Sequence, residues 1–257
     1  MPATDLDLLI AASKEAGAIA RHYFGDDPQV WDKGGNDGPV TEADLAVNSM
    51  LERDLRAARP SYGWLSEESQ DGADRLQAER LFIVDPIDGT RAFIEGSKDW
   101  AHAMAVVENG VVTAGAVYLP MRDQLFAAAL GQGATLNGEP IAVTGQDALH
   151  GATVLGNKWN FEPKYWRDAK TPPVKRHFRS SLAFRLSLVA QGRFDAMITL
   201  RPTWEWDVAA GALIVTEAGG TVTDRQGHDP VFNNVHPQLN GMVAGGAVHG
   251  PLRAALA

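Results

Sequence analysis

The chain contains no cysteine, which excludes disulfides, zinc–thiolate centres and thiol nucleophiles together. It has no apolar run near the roughly 18 residues that cross a bilayer. A basic signal-peptide region is also missing: Asp5 and Asp7 stand where positive charge would be needed, so a cytoplasmic location is expected. Basic residues are few, 23 Lys and Arg against 32 Asp and Glu, a formal net charge of -9. Proteins that grip a phosphate backbone carry a basic field, so nucleic-acid polymer is not an expected partner. There are no internal repeats and no low-complexity segments. What remains is a 257-residue chain, 45% hydrophobic and 21% charged. That balance suits one large globular domain, or two smaller ones sharing a core.

Hydrophobic spacing organises the first half. Leu6, Leu9, Ile10, Ala16, Ile19, Ala20 and Tyr23 recur at helical intervals over residues 5–24, and Gly25 and Pro28 end the run. A polar loop with Gly34, Gly35, Gly38 and Pro39 follows. Thr41 and Asp44 frame the start of a second helix that stops at Pro60. Trp64 and Leu65 predict a short strand leading into Ser66-Glu67-Glu68-Ser69, and Leu81 to Val84 a strand buried on both faces and ended by Pro86. Between residues 101 and 143, apolar stretches are separated by Asn109-Gly110, Leu119-Pro120 and Asn137-Gly138. Asn-Gly supplies two residues tolerant of positive φ, so an antiparallel meander is expected.

After residue 145 strands and helices alternate: a strand at Val154-Leu155, a helix from Ser181 to Gln191, a strand from Phe194 to Leu200 and a helix from Val208 to Ala218. Strands at 221–224 and 242–245 and a short helix from Pro251 complete the chain. The change of pattern divides it into an α+β part (1–145) and an α/β part (146–257), packed together rather than tethered.

The carboxylates carry the chemistry. Asp85 and Asp88 flank the end of a buried strand, where a tight turn through Gly89 and Thr90 can aim both acids at one point. The same turn exposes amides suited to a phosphate. Hard divalent ions prefer oxygen ligands, and two such ions about 3.5–4 Å apart can clamp an in-line phosphoryl displacement. Each acid also has an ordinary structural role open to it. Asp85 and Asp88 suit a turn, Asp207 an N-cap, Asp44 a capping box and Glu67-Glu68 a solvated loop. Four such sites at strand ends and helix starts favour chemistry. Bound cations would also reverse the sign of an acidic pocket toward an anionic substrate.

The run Asp85-Pro86-Ile87-Asp88-Gly89-Thr90, with Ser66 to Ser69, Trp206 to Gly211, Thr216 to Gly220 and Pro39 to Asp44, resembles the inositol monophosphatase superfamily in motif and order. The resemblance implies a layered αβαβα sandwich and magnesium-dependent hydrolysis of a small phosphorylated metabolite. Glu67, Asp85 and the Ile87 carbonyl would hold one Mg2+. Asp85 would bridge to a second, completed by Asp88 and Asp207, and a third, weaker ion would lie near Glu67. Thr90 and Asp44 would orient and deprotonate the attacking water, and the Gly89 and Thr90 amides would hold the phosphate. Lithium inhibition and a homodimer are implied as well.

Substrate choice rests on departures from the inositol branch. Seven residues before Asp207, where that branch has an acid, stands Leu200; Arg91 replaces a neutral residue after the metal motif. Ser180-Ser181 and Arg185 fall where the bisphosphate nucleotidase branch (CysQ type) has Ser-Ser and a lysine. Extra positive charge from Arg91 and Arg185 beside Asp207 suits a second phosphate, although a surface salt bridge would equally account for either arginine. Adenosine 3′(2′),5′-bisphosphate is the preferred substrate on this reading, with myo-inositol 1-phosphate and histidinol phosphate as alternatives. A binding protein that keeps the fold without turnover is disfavoured, because every matched position retains a competent oxygen donor. Trp204 and Trp206 suit a core more than a pocket, and His102, His177 and His228 show no ligand spacing.

Overall fold

The computed structural model describes residues 3–26, 28–34 and 38–257; Gly35, in the expected polar loop, lies outside them. Two large sheets and three helical layers carry the architecture, with two small two-stranded sheets beside them.

Helices α1 (Asp5–Tyr23) and α2 (Glu42–Ala58) form the first layer, joined through a hairpin of β1 (Val30–Asp32) and β2 (Pro39–Thr41). Both helices open with a full capping box, Thr4 with Asp7 and Thr41 with Asp44. They pack Leu9, Ala16, Val47 and Leu51 onto Phe82, Val84 and Met104. Those last residues lie on one face of a seven-stranded sheet. Its strands run in chain order: β3 (Gly63–Ser66), β4 (Arg80–Asp88), β5 (Ala101–Glu108), β6 (Val111–Leu119), β7 (Gln124–Ala129), β8 (Ala134–Leu136) and β9 (Glu139–Pro140). Only β3 and β4 are parallel; the rest is the expected meander. Asn109 (φ 50) with Gly110 (φ 83), and Asn137 (φ 51) with Gly138 (φ 86), have the positive φ that the Asn-Gly turns require. The short helix α3 (Thr90–Ile94) follows β4.

The opposite face carries Leu81, Ile83, Ala103 and Ala105 into the central core. There they meet α4 (Leu182–Ala190) and α5 (Glu205–Glu217). Beyond these helices lies a five-stranded sheet ordered β11 (Lys175–His177), β10 (Thr153–Leu155), β12 (Ala196–Thr199), β16 (Met242–Gly245), β14 (Thr221–Thr223). Strand β10 is parallel to both neighbours, whereas β16 is antiparallel to β12 and β14. A two-stranded ribbon, β13 (Thr203–Trp204) with β15 (Gln238–Leu239), closes the loop before α5. The last layer, α6 (His249–Ala255), covers the outer face of the second sheet with Val248, Leu252 and Leu256 against Val154, Ile198 and Leu200. The order α, β, α, β, α is the expected sandwich. The proposed division at residue 145 falls between β9 and β10, yet one core contains residues of both parts. Among the described residues no helix is long and apolar enough to cross a membrane.

Several boundaries differ from expectation for identifiable reasons. Pro86 does not end the β4 ladder: Asp85 pairs with Ala103 and Asp88 with Ala101, so Pro86 and Ile87 form a bulge and the strand resumes. Helix α5 starts at Glu205 rather than Val208, with Trp204 as N-cap, so Asp207 sits inside the first turn and caps nothing. Strand β12 spans only part of the expected 194–200 range, and α6 begins two residues before Pro251. Strands β1, β2, β11, β13 and β15 were not foreseen; β1 and β11 are exposed along their length and show no period-two pattern.

Helices α4 and α5 meet at Gly211, where a Cβ would lie 2.6 Å from both Cβ and Cδ1 of Leu186. Gly211→Val should therefore force the helices apart and lower stability by about 1–3 kcal/mol, measured by urea unfolding. An unchanged midpoint would contradict this packing.

Candidate active site

Strand β4 and helix α5 bring three carboxylates together. One oxygen each from Asp85, Asp88 and Asp207 lies within 4.8 Å of the others. Asp85 is 1% exposed and Asp88 7%, in a place where water cannot screen their repulsion. The β4 bulge explains the convergence of the first two. In a regular strand, residues three apart point to opposite faces; one extra residue between Asp85 and Asp88 restores a common side. His102 sits opposite the bulge, fully buried, with its Nδ1 hydrogen-bonded to the Pro86 carbonyl oxygen. Burial lowers its pKa to about 4, so a neutral imidazole holds the bulge at ordinary pH. Sequence spacing gave no sign of this role, since the contact depends on cross-strand register.

The surroundings of each acid differ. Asp88 Oδ2 accepts from the Ser181 hydroxyl and from the Ala183 amide, both at 2.6 Å, at the N-terminus of α4. Burial outweighs these donors and raises its pKa to about 6. Asp85 and Asp207 are pushed well above the usual carboxylate range, first by burial and then by neighbouring negative charges, Glu67 and Asp88 among them. Asp85 Oδ1 is buried and has no hydrogen-bond partner. Buried polar atoms are nearly always paired, so an orphaned carboxylate oxygen among like charges is a donor suited to a cation. The set is all-oxygen and acidic, as hard divalent ions require. The residues present fit such a metal.

Asp44 sits beside this group at the start of α2. Its Oδ2 completes the capping box by accepting from the Thr41 amide at 2.8 Å, and its Oδ1 faces the Thr90 hydroxyl at 3.2 Å. The same hydroxyl lies 3.1 Å from the Ile87 carbonyl oxygen. Burial lifts Asp44 to about 6 against the donors that stabilise its anion. Gly89 joins β4 to α3 with φ 103, and a Cβ there would sit 3.3 Å from the Asp99 carbonyl oxygen. Both the left-handed conformation and the close approach call for glycine. Thr90, first residue of α3, has an amide with no helical acceptor behind it.

Glu67 and Glu68 follow β3 and share one cation. Lys33 Nζ lies 2.7 Å from Glu67 and 2.6 Å from Glu68. Burial alone would lower the lysine pKa, but the two glutamates outweigh it and raise it. Glu68 is lifted to about 7 by burial and by Glu67. Lys33 was not foreseen as a site residue; nothing in a glycine-rich segment signals a partner 34 residues away.

The expected substrate residues are less uniform. Arg185 is 3% exposed, so it is no surface salt bridge. Its Nε donates to the Arg179 carbonyl oxygen at 2.6 Å and its guanidinium lies over Phe178. Its charge acts on Asp88 and Asp207, and burial lowers its pKa to about 10. Arg91 is exposed and rests against Gly38. Leu200, just past the end of β12, belongs to the outer core with α6 rather than the central core with α5. Trp204 and Trp206 stack at 4.7 Å, and Trp206 packs against the central core. His177 packs on Phe194 and His228 faces Asp224.

An acidic oxygen cluster between two sheets of an αβαβα sandwich is suited to metal-assisted phosphate-ester hydrolysis. A family model described as "Inositol monophosphatase family" matches residues 2–256. The chain belongs to that family. It is 36% identical over 235 residues to "Inositol monophosphatase 2" of Solanum lycopersicum, covering 87% of this chain and 88% of that protein. It is 35% identical over 236 residues to "Nus factor SuhB" of Escherichia coli, covering 86% and 85%. Among solved structures, a SuhB protein from Bartonella henselae superposes with a TM-score of 0.82 at 30% identity, covering 96% of each chain.

The raised carboxylate pKa values set a pH dependence. A group whose pKa is higher in the folded than in the unfolded state stabilises below the unfolded value and loses that contribution as pH rises through the folded one. For Asp44 and Glu68 that window ends at about 6 and about 7. Asp85, Asp88 and Asp207 are raised as well. These carboxylates outnumber His102 and His249, whose lowered pKa values act in the opposite direction. The metal-free protein should therefore lose stability between about pH 4 and pH 7. The rise in melting temperature on adding Mg2+ should grow over the same range. A Mg2+ effect independent of pH from 5 to 8 would contradict the electrostatic account.

Proposed function

We propose that this protein is a Mg2+-dependent phosphatase of a small phosphorylated metabolite, with Glu67, Asp85, the Ile87 carbonyl, Asp88 and Asp207 as metal ligands for two ions and a third near Glu67. The observation that carries the reading is the convergence of buried Asp85 and Asp88 with half-buried Asp207, together with an unpaired Asp85 Oδ1. When bound, the cations supply Lewis acidity and neutralise the charge of the transferred phosphoryl group. The protein's own residues do the rest. The Gly89 and Thr90 amides hold phosphate oxygens. Asp44 Oδ1 faces the Thr90 hydroxyl at 3.2 Å, so a proton taken from the attacking water at Thr90 Oγ1 passes to Asp44 as the hydroxyl proton shifts. In the metal-free protein burial lifts Asp44 to about 6; cations held by the neighbouring acids would lower it, leaving the carboxylate ionised and able to accept the proton at neutral pH. Glu67 completes the acidic wall on the Lys33 side.

For the substrate, the reading favours adenosine 3′(2′),5′-bisphosphate, as in the bisphosphate nucleotidase branch. Its support is a buried cation, Arg185, whose charge reaches Asp88 and Asp207 and which forms no ion pair among the described residues. Arg201 adds positive charge near Asp207, and Arg91 stands at the exposed rim. The myo-inositol 1-phosphate alternative is favoured by the names of relatives such as the Solanum lycopersicum enzyme and "Inositol-1-monophosphatase" of Mesorhizobium japonicum, 32% identical over 245 residues. Histidinol phosphate is a further alternative. A homodimer and sensitivity to lithium are part of the same proposal.

A substrate panel with Mg2+ separates these readings. The bisphosphate should be turned over with higher kcat/KM than inositol 1-phosphate, and Arg185→Met should lower the first by about tenfold or more while changing the second little. The reverse ranking would assign the inositol reading. Asp88→Asn should reduce kcat by at least about a thousandfold on every substrate; retained turnover would overturn the ligand assignment.

A further inference from the structure

Two sides of the carboxylate site are joined by hydrogen bonds that lie outside it. Glu67 belongs to the segment that follows β3, and Asp207 to the first turn of α5. The charge of Asp85 repels both, so each segment needs an anchor. Helix α5 gains little from its own start, because its N-cap is Trp204, a side chain with no oxygen to accept from the first amides. Glu205 supplies the anchor instead. It is fully buried; its Oε2 accepts from the Asn233 amide at 2.7 Å, and its Oε1 from the Asn234 amide at 2.9 Å and the Asn234 side-chain amide at 2.7 Å. Hydrogen bonds to a carboxylate are roughly twice as strong as those between neutral groups. The 233–234 loop is thereby fastened to the residue two positions before Asp207.

Arg75 holds the same loop from the other side. This buried arginine lies in a short 3-10 turn, Ala73–Gln77, on the segment that leads away from Glu67. Its Nη1 donates to Asn233 Oδ1 at 2.6 Å and its Nη2 to the Asn234 carbonyl oxygen at 3.0 Å. Asn233 Nδ2 donates in return to the Arg75 carbonyl oxygen at 3.2 Å. Asp71 takes another edge of the guanidinium, accepting from Nε at 2.6 Å and from Nη2 at 2.8 Å, which fixes the plane of the group. The turn itself rests on β3: a Cβ on Gly63 would lie 3.3 Å from the Arg75 Cα. Strand β3 ends at Ser66, immediately before Glu67. A continuous set of contacts therefore runs from the Glu67 segment through Arg75, the Asn233-Asn234 loop and Glu205 to the first turn of α5.

We propose that Arg75 and Glu205, gripping the Asn233-Asn234 loop between them, are positioning residues that set the spacing between the Glu67 and Asp207 sides of the metal site. Their effect on metal affinity rests on the reading of these acids as ligands; their effect on where the Asp207 carboxylate lies does not. Neither side chain has a place among the ligands, and each acts through the loop. With the loop released, repulsion from Asp85 and Asp88 moves the first turn of α5 outward, and the acids no longer converge on one cation. Metal ions bind weakly to oxygen ligands that must be reassembled, which is why supporting contacts matter for affinity.

The test uses the full chain with two variants. Arg75→Met keeps an apolar stem and removes the guanidinium. Asn233→Gly removes the contact with Arg75 while tolerating the positive φ of 66 at that position, and it serves if the first variant does not fold. Crystal structures of the metal-free variants should show Asp207 displaced, so that its 4.8 Å convergence with Asp85 and Asp88 is lost. Mn2+ titrations followed by electron paramagnetic resonance should show affinity weakened by about tenfold. The two substitutions together should weaken it no further than the worse one alone, since both act through one loop. An unmoved Asp207 in the folded variants would overturn the proposal. Unchanged Mn2+ affinity beside a lowered melting temperature would do the same, because it marks a purely structural role. Failure of the unsubstituted protein to bind Mn2+ would count against the ligand assignment, and the position of Asp207 would still decide the role of Arg75 and Glu205.

Discussion

Repulsion among buried carboxylates is the constraint on which the rest of this structure depends. Buried Asp85 and Asp88 converge with half-buried Asp207 where solvent screens them poorly, with Glu67 and Asp44 adding to the field. Left to themselves, such groups would move apart or take up protons, and their raised pKa values express that tendency. The fold holds them through features that do no chemistry. A bulge in β4 is fastened by neutral His102, α4 offers Ser181 and Ala183 to Asp88, and Thr41 grips Asp44 within a helix cap. Strain concentrated in one place and supported from several sides is what a site built to take cations needs.

Both sheets are required for this. The seven-stranded sheet supplies Asp85 and Asp88, and α5, packed between the sheets, supplies Asp207. Two close approaches set the position of α5. Gly211 admits Leu186 of α4, and Gly115 of β6 lies so near Ala210 that a Cβ would sit 3.0 Å from its carbonyl oxygen. Bulk at either point moves Asp207 relative to β4. Packing far from any ligand oxygen is therefore linked directly to the geometry of the acids.

Much of this was legible in the sequence because local rules and function coincide. The Asn-Gly turns, the Pro60 stop and the buried run before Asp85 are short-range signals, and the carboxylates stand beside them. Misread elements were those where tertiary contacts override local pattern. Trp204-Glu205-Trp206 shows no helical polarity, yet Glu205 starts α5 because its carboxylate is buried under the amides of Asn233 and Asn234. Lys33, His102 and the inward turn of Arg185 depend on partners between 6 and 35 residues away along the chain. Leu200 was read as a substrate determinant from its distance to Asp207, but its side chain belongs to the outer core with α6. Residue types at element ends reveal chemistry; which way a side chain faces depends on register.

The central claim, that these acids exist to hold divalent metal, is tested most directly by crystals grown with Mn2+ and measured for anomalous scattering. The account predicts two strong peaks, one among Asp85, Asp88 and Asp207 and one between Asp85 and Glu67, with Lys33 displaced from Glu67. Density for protonated carboxylates at this position with no anomalous peak, at saturating Mn2+, would contradict it.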